Sequence, residues 1–175
     1  MRWEALFADL EAQFAAHAAA DRDAHVAELT RAERATVAIG NRLRGSQGAS
    51  LSVRLRTGST VEGQVVDAAP QWVLLGAHGQ QVLIPMAAVA VVAGLGRISA
   101  PDPGVVESRL TLGHALRALA RDRVLVRVEV DGVELAGRIE RVGADHLDLA
   151  AGHEEPRRGG LMAIPFTGIC AVRSR

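Results

Sequence analysis

The spacing of apolar positions changes twice along the chain, and the changes divide it into an arm and two similar runs. In residues 1–44, Trp3, Leu6, Phe7, Leu10 and Phe14 recur at intervals of three and four, one stripe of a 3.6-residue period. A second stripe runs through Val26, Leu29, Val37 and Leu43, and Asp21 or Asp23 is placed to cap a second helical segment. Gly45 is expected to close the helical region in the left-handed conformation, and residues 45–48 read as a turn. From Leu51 the period becomes two: Leu51, Val53 and Leu55 alternate with Ser52, Arg54 and Arg56, as in a strand with one buried face. Residues 57–59 make a hairpin turn, and Val61–Val66, Trp72–Leu75 and Gln81–Val92 supply further strands. Residues 94–104, with Pro101 and Pro103, read as a boundary, and Leu112–Arg121 as a short helix.

The β pattern restarts at Arg123 and repeats the first run. Gly58 and Gly63 recur 74 residues later as Gly132 and Gly137. At that offset Val61, Val65, Val73 and Leu75 return as Leu135, Ile139, Leu147 and Leu149. Ile84-Pro85 returns 80 residues on as Ile164-Pro165, with Val89 and Val92 as Ile169 and Val172. The extra residues fall in one loop, 150–160, where insertion costs little. The predicted architecture is mainly β: a helical arm and linker (1–48), a small barrel (49–95), a linker with a short helix (96–122), and a second small barrel (123–175). A sheet so small covers its apolar face by curling, and a glycine inside the second strand of each run permits the bend.

Helix, strand, glycine turn, bent strand with a central glycine, and a final Ile-x-x-x-x-Val or Ile-x-x-x-x-Ile segment together resemble the Sm-like family, which includes the bacterial RNA chaperone Hfq. In the first run the resemblance spans Thr36–Val92 and rests on Gly58, Val61-Glu-Gly63 and Ile84–Val89. In the second it spans Thr111–Val172 and rests on Gly132, Leu135-Ala-Gly137 and Ile164–Ile169. It implies SH3-like barrels, ring assembly through exposed edge strands, and binding of U- or A-rich RNA. The family's Arg-Gly or Lys-His pair is replaced here by Pro85-Met86 and Pro165-Phe166, so no cationic donor stands at that position.

Composition narrows the function classes. Of 175 residues, 49% are apolar, enough for real cores, and the formal net charge is zero. The balance holds locally: 45–100 carries three Arg and two acids, and 123–175 eight of each. Nonspecific nucleic-acid binding in bulk needs a cationic surplus, so RNA could be held only by a local patch. Cys170 is the only cysteine and excludes an internal disulfide; a packed thiol is its expected role. The longest uncharged apolar run, Val82–Leu95, is too short to span a bilayer and contains Pro85. With no signal-peptide pattern at the start, the expected location is the cytoplasm.

No catalytic, cofactor or metal constellation emerges. Gly94-Leu-Gly96-Arg-Ile-Ser99 precedes two prolines rather than a helix, which makes it a linker and not a dinucleotide loop. Asp145, His146 and Asp148 with His153, Glu154 and Glu155 match no metal-ligand spacing and read as a solvated loop. The expected activity is non-enzymatic binding, with two readings open. One is an RNA-associated module using Trp72, His146, Phe166 and the Arg157-Arg158 loop, the aromatics stacking on bases if they are not core. The other is a protein–protein scaffold that kept the barrel without an RNA site. In either, a protein partner or a second copy is expected to dock on Trp3, Phe7, Leu10 and Phe14 of the arm or on the barrel edge strands.

Overall fold

A computed structural model describes residues 2–77, 79–151 and 160–174, with some side chains of the first helix left outside that description. The chain divides into two compact units, residues 1–37 and 38–175. The first is helix α1, Arg2–Thr36. It runs unbroken through Asp21 and Asp23, where a new segment was expected: residues 15–20 are mostly alanine, with neither glycine nor proline to interrupt the hydrogen-bond ladder. Among its described side chains, Phe7, Phe14, Val26 and Leu29 are exposed.

The second unit opens with α2 (Ile39–Arg44). Gly45 ends this helix at φ −73°, not in the left-handed region. Its glycine answers to space instead, since a Cβ there would lie 2.9 Å from the backbone nitrogen of Ala100. The segment after Gly94 is tied down by α2. Arg42 donates to the Gly96 carbonyl (2.7 Å), Asn41 to Asp102 (2.8 Å) and Arg44 to the Pro101 carbonyl (2.7 Å), while Arg44 pairs with Glu107. Glu107 belongs to a short turn of helix, α3 (Val105–Ser108), and α4 (Leu112–Arg121) follows where the sequence predicts it.

Ten strands carry the rest: β1 (Ser50–Leu55), β2 (Thr60–Ala69), β3 (Trp72–Ala77), β4 (Gln80–Pro85), β5 (Val89–Ala93), β6 (Leu125–Val130), β7 (Val133–Val142), β8 (His146–Ala151), β9 (Leu161–Pro165) and β10 (Ile169–Ser174). They form one open antiparallel sheet in the order β5-β1-β2-β3-β4-β10-β6-β7-β8-β9. The chain is therefore mainly β, as expected, but the expected pair of closed barrels is replaced by a single continuous sheet. The reason lies in the fourth strand. Instead of meeting β5, β4 takes β10 as its neighbour, with Val172 opposite Leu83, Arg173 opposite Val82 and Ser174 opposite Gln81.

Each half has the same internal order, the fifth strand beside the first and the first to fourth in sequence. Details recur as well. The second strand of each half bulges at one place, between Val65 and Asp67 and between Ile139 and Arg141. The fifth strand of each half breaks register against the first at Ala90 and at Cys170. Each fourth strand ends in a proline that leads into a 3₁₀ turn, Met86–Ala88 or Phe166–Gly168. The long second strands change partners midway: β2 pairs with β1 up to Gln64 and with β3 from Gln64 onward.

Two apolar clusters fill the unit. One gathers Leu43, Val53, Leu55, Val65, Leu75 and Ile84 from the first half, the other Leu116, Val126, Val128, Leu147, Leu149 and Ile164 from the second. They interlock at the seam. Cys170 and Ala171 of β10 enter the first cluster, while Ala69, Trp72 and Leu83 enter the second. Burial of this interlocking surface is what joins the halves into one unit.

Candidate functional site

The sheet presents three places where binding chemistry could reside: the seam between β4 and β10, and the two outer edges, β5 and β9. The seam shows how two such edges are made to meet. On the outer face of β6, Glu129 would ordinarily be in water, yet it is buried because the β1–β2 turn of the first half lies over it. Its carboxylate accepts from Thr57 Oγ1 and Ser59 Oγ, both at 2.8 Å, and pairs with Arg173 at 2.9 Å. From the same turn Arg56 donates to the Thr167 carbonyl (2.6 Å) and reaches Asp131 at 3.3 Å. No buried side-chain polar atom among the described residues lacks a partner.

Burial by itself would raise the Glu129 pKa, but the hydrogen bonds from Thr57, Ser59 and Arg173 and the Arg173 charge outweigh it and hold the group below its ordinary 4.5. A carboxylate with a lowered folded pKa stabilises the fold fully above its unfolded pKa. That contribution is lost as pH falls through the folded value. Thermal melting between about pH 6 and pH 3 should therefore show a fall in stability below about 4.5 that is smaller in Glu129→Gln, which should also melt lower at neutral pH. Parallel curves for the two proteins would remove Glu129 from the acid response.

The outer edges are the same kind of strand without a neighbour. Among the described residues, β5, which reads Val-Ala-Val-Val-Ala, pairs only with β1, and β9, which reads Leu-Met-Ala-Ile-Pro, pairs only with β8. Neither carries a charge. Edge strands are commonly guarded by lysine, proline or a bulge. Among the described residues, Pro165 at the end of β9 and the irregularity at Ala90 serve that purpose. Val91 is 55% exposed and Leu161 62%, and Ala90, Ala93 and Ala163 are exposed beside them.

The residues picked from sequence for RNA stacking lie elsewhere. Trp72, the first residue of β3, is buried, and its indole N–H donates to the Leu110 carbonyl at 3.0 Å. His146, in the matching position of β8, is half-buried with its Nδ1 2.9 Å from Asp145, a hydrogen bond that draws the Asp145 pKa down. Phe166 is half-buried against the second cluster, its ring facing Gly113 of α4. Trp72 and Phe166 thus both pack near the start of α4 and do not form an open rim. Arg157 and Arg158 lie outside the described residues, as do His153, Glu154 and Glu155. Of the remaining acids in that loop, Asp148 is buried and paired with Arg141 at 2.9 Å, and the described residues contain no group of three or more metal-ligating side chains.

On α1, Phe7 and Phe14 are exposed, whereas the side chains of Trp3 and Leu10 fall outside the description. Cys170 is fully buried, in keeping with a packed thiol. A largely apolar groove of about 480 Å³, lined by Trp72, Leu83, His114, Leu119 and Val172, runs between α4 and the seam. No helix among the described residues is long and apolar enough to cross a membrane.

Sequence reasoning missed Glu129, Thr57, Ser59 and Arg173. Alternation places Glu129 on a wet face, and nothing local announces that a turn 70 residues earlier covers it. No protein-family model matches the chain, and no curated protein matches it.

Proposed function

We propose that the two halves are duplicated Sm-like units and that the protein is a non-catalytic assembly scaffold, taking up protein strands at the two edges of its sheet. The observation that carries this reading is the pair of uncharged, half-exposed edge strands that terminate an otherwise continuous sheet. Backbone N–H and C=O groups along such an edge are a template for another strand, and alternate side chains supply specificity. The equal strand order of the halves, with matching bulges and matching proline-led turns, supports the duplication. The RNA reading draws less support: Trp72 is buried, Phe166 is half-buried, and the formal charge is zero.

The test compares native complexes in extract from cells making either the parent or Val91→Lys with Ala163→Lys, before and after ribonuclease. Both substitutions fall at exposed positions, so the isolated variant should melt as the parent does. The parent should migrate in a complex that ribonuclease leaves intact and the double variant loses. A complex dissolved by ribonuclease but indifferent to the edge lysines would replace the scaffold reading with the RNA one.

A further inference from the structure

We propose that the groove between α4 and the seam is a binding site for a small organic cation, an apolar body that carries a protonated amine. The site is separate from the sheet edges and does not depend on what they take up. Its floor is one row of residues across four strands. Asp67 of β2 stands opposite Leu74 of β3, Leu74 opposite Leu83 of β4, and Leu83 opposite Val172 of β10. Gln81 and Ser174, opposite each other, form the next row on the same face.

The wall is α4. His114, Ala115, Ala118, Leu119 and Asp122 fall at intervals of three and four along it, and all line the groove. From His114 to Asp122 the wall runs for about two turns, or about 12 Å of helix. Leu112 and Leu116 of the same helix reach into the second cluster. Alanine at 115 and 118 instead leaves the space between helix and floor unfilled, about 480 Å³ of it. A largely apolar recess of that size suits a small organic molecule, with its few polar groups fixing orientation.

Charge selects the class of molecule. Asp67 and Asp122 line the groove, one from the sheet and one from the helix, and among the described residues no arginine does. Glu129, Asp131 and Asp148 are each paired with an arginine, at 2.9, 3.3 and 2.9 Å. These two are not. Among the described residues, Asp67 accepts from the Gln47 amide side chain (3.2 Å) and the Ala68 backbone N–H (2.8 Å), and the Asp122 carboxylate has no partner. An apolar space bordered by two carboxylates without a cation attracts a positive group and repels an anion. Ser174 supplies a further point of attachment. It is 9% exposed, its side chain shares the face of Val172, and its hydroxyl makes no hydrogen bond among the described residues. Since no fully buried side-chain polar atom lacks a partner there, that oxygen is open to the groove it lines. His114 holds Thr111 Oγ1 through Nδ1 at 3.0 Å, and its Nε2 has no partner among the described residues. These are the polar groups that a ligand amine can meet once its apolar body covers Leu74 and Leu119.

The experiment titrates the full-length chain with phenylbutylamine, phenylbutanol and phenylbutyrate, probes of similar size that differ in charge. Binding is followed by calorimetry and by backbone amide shifts. The amine should bind most tightly, the alcohol about 3- to 10-fold more weakly and the butyrate weakest of all. The shifts should concentrate at residues 114–122 and 172–174. Asp122→Asn and Asp67→Asn should each weaken the amine about 2- to 5-fold, leave the alcohol unchanged, and flatten the salt dependence of amine binding. Ala118→Phe should fill the groove and abolish binding of amine and alcohol alike. The two aspartates are exposed, so their variants fold as the parent does and decide the matter where the phenylalanine variant does not fold. Equal affinity for the three probes, or an amine indifferent to both aspartate substitutions, would overturn the cationic ligand. Amine shifts that lie away from α4 and β10, or no amine binding up to about 10 mM, the weakest affinity expected of a probe this small, would overturn the site itself.

Discussion

Trp72→Ala is expected to destabilise the protein by about 3–5 kcal/mol, the usual cost of emptying a large buried aromatic site. The indole is 7% exposed, belongs to the cluster containing Leu112, Leu116 and Leu147, and donates its N–H to the Leu110 carbonyl. Its removal leaves a cavity under the start of α4 and an orphaned carbonyl. Trp72→Phe separates the two contributions: it keeps much of the apolar area and loses the donor, for a cost of about 1–2 kcal/mol. Calorimetric melting should rank the proteins parent, Phe variant, Ala variant, with the last lower by on the order of 10 °C. An alanine variant that melts with the parent would place the indole outside the core and return it to the stacking role its sequence position suggested.

How such a tryptophan was read shows where the sequence stops informing. Period-two alternation located nearly every strand, because a half-buried strand must alternate whichever strands lie beside it. The 74-residue spacing of Gly63 and Gly137 anticipated two halves of like order for the same kind of reason: a bend that only glycine permits is a local requirement. Edge choice is different. Whether β4 ends a barrel or accepts β10 depends on which edges meet in space, and no periodicity encodes that. The surroundings of Glu129 and Trp72 depend on the same thing. Alternation alone puts Glu129 on a wet face, which the first half's turn then covers, and it leaves Trp72 open between core and loop rim, which packing against α4 decides. The arm shows the converse. Asp21 and Asp23 resemble caps, but the alanine-rich stretch before them continues the helix, and propensity summed over many residues outweighed a local cap.

Gly137→Ala and Gly63→Ala are expected to be costly although each adds a single methyl group. A Cβ at Gly137 would stand 2.1 Å from the Ala150 carbonyl oxygen, and one at Gly63 would stand 2.4 Å from the Gly76 carbonyl oxygen. These neighbours are backbone atoms of the next strand and cannot rotate aside, so the strands must part. Both glycines sit where the second strand passes from one partner to the next, β7 turning from β6 toward β8 and β2 from β1 toward β3. Close approach of adjacent strands at that point is what allows each half to bend around its cluster. Forcing a methyl in should cost about 1–3 kcal/mol, as overpacking usually does, and more if ladder hydrogen bonds are lost. The two substitutions should behave alike, because they occupy equivalent places in the two halves. Being on different clusters and without a shared partner, they should also combine additively within about 0.5 kcal/mol. Chemical denaturation of the two single variants and the double variant measures all three quantities. Gly76→Ala makes the control, since a Cβ there would first meet the tip of the half-exposed Val66 side chain at 3.2 Å and should cost less than either bend. If the bend variants unfold with the parent, the strands at 63 and 137 accommodate a methyl group without parting, and the curvature of both halves must come from their bulges instead.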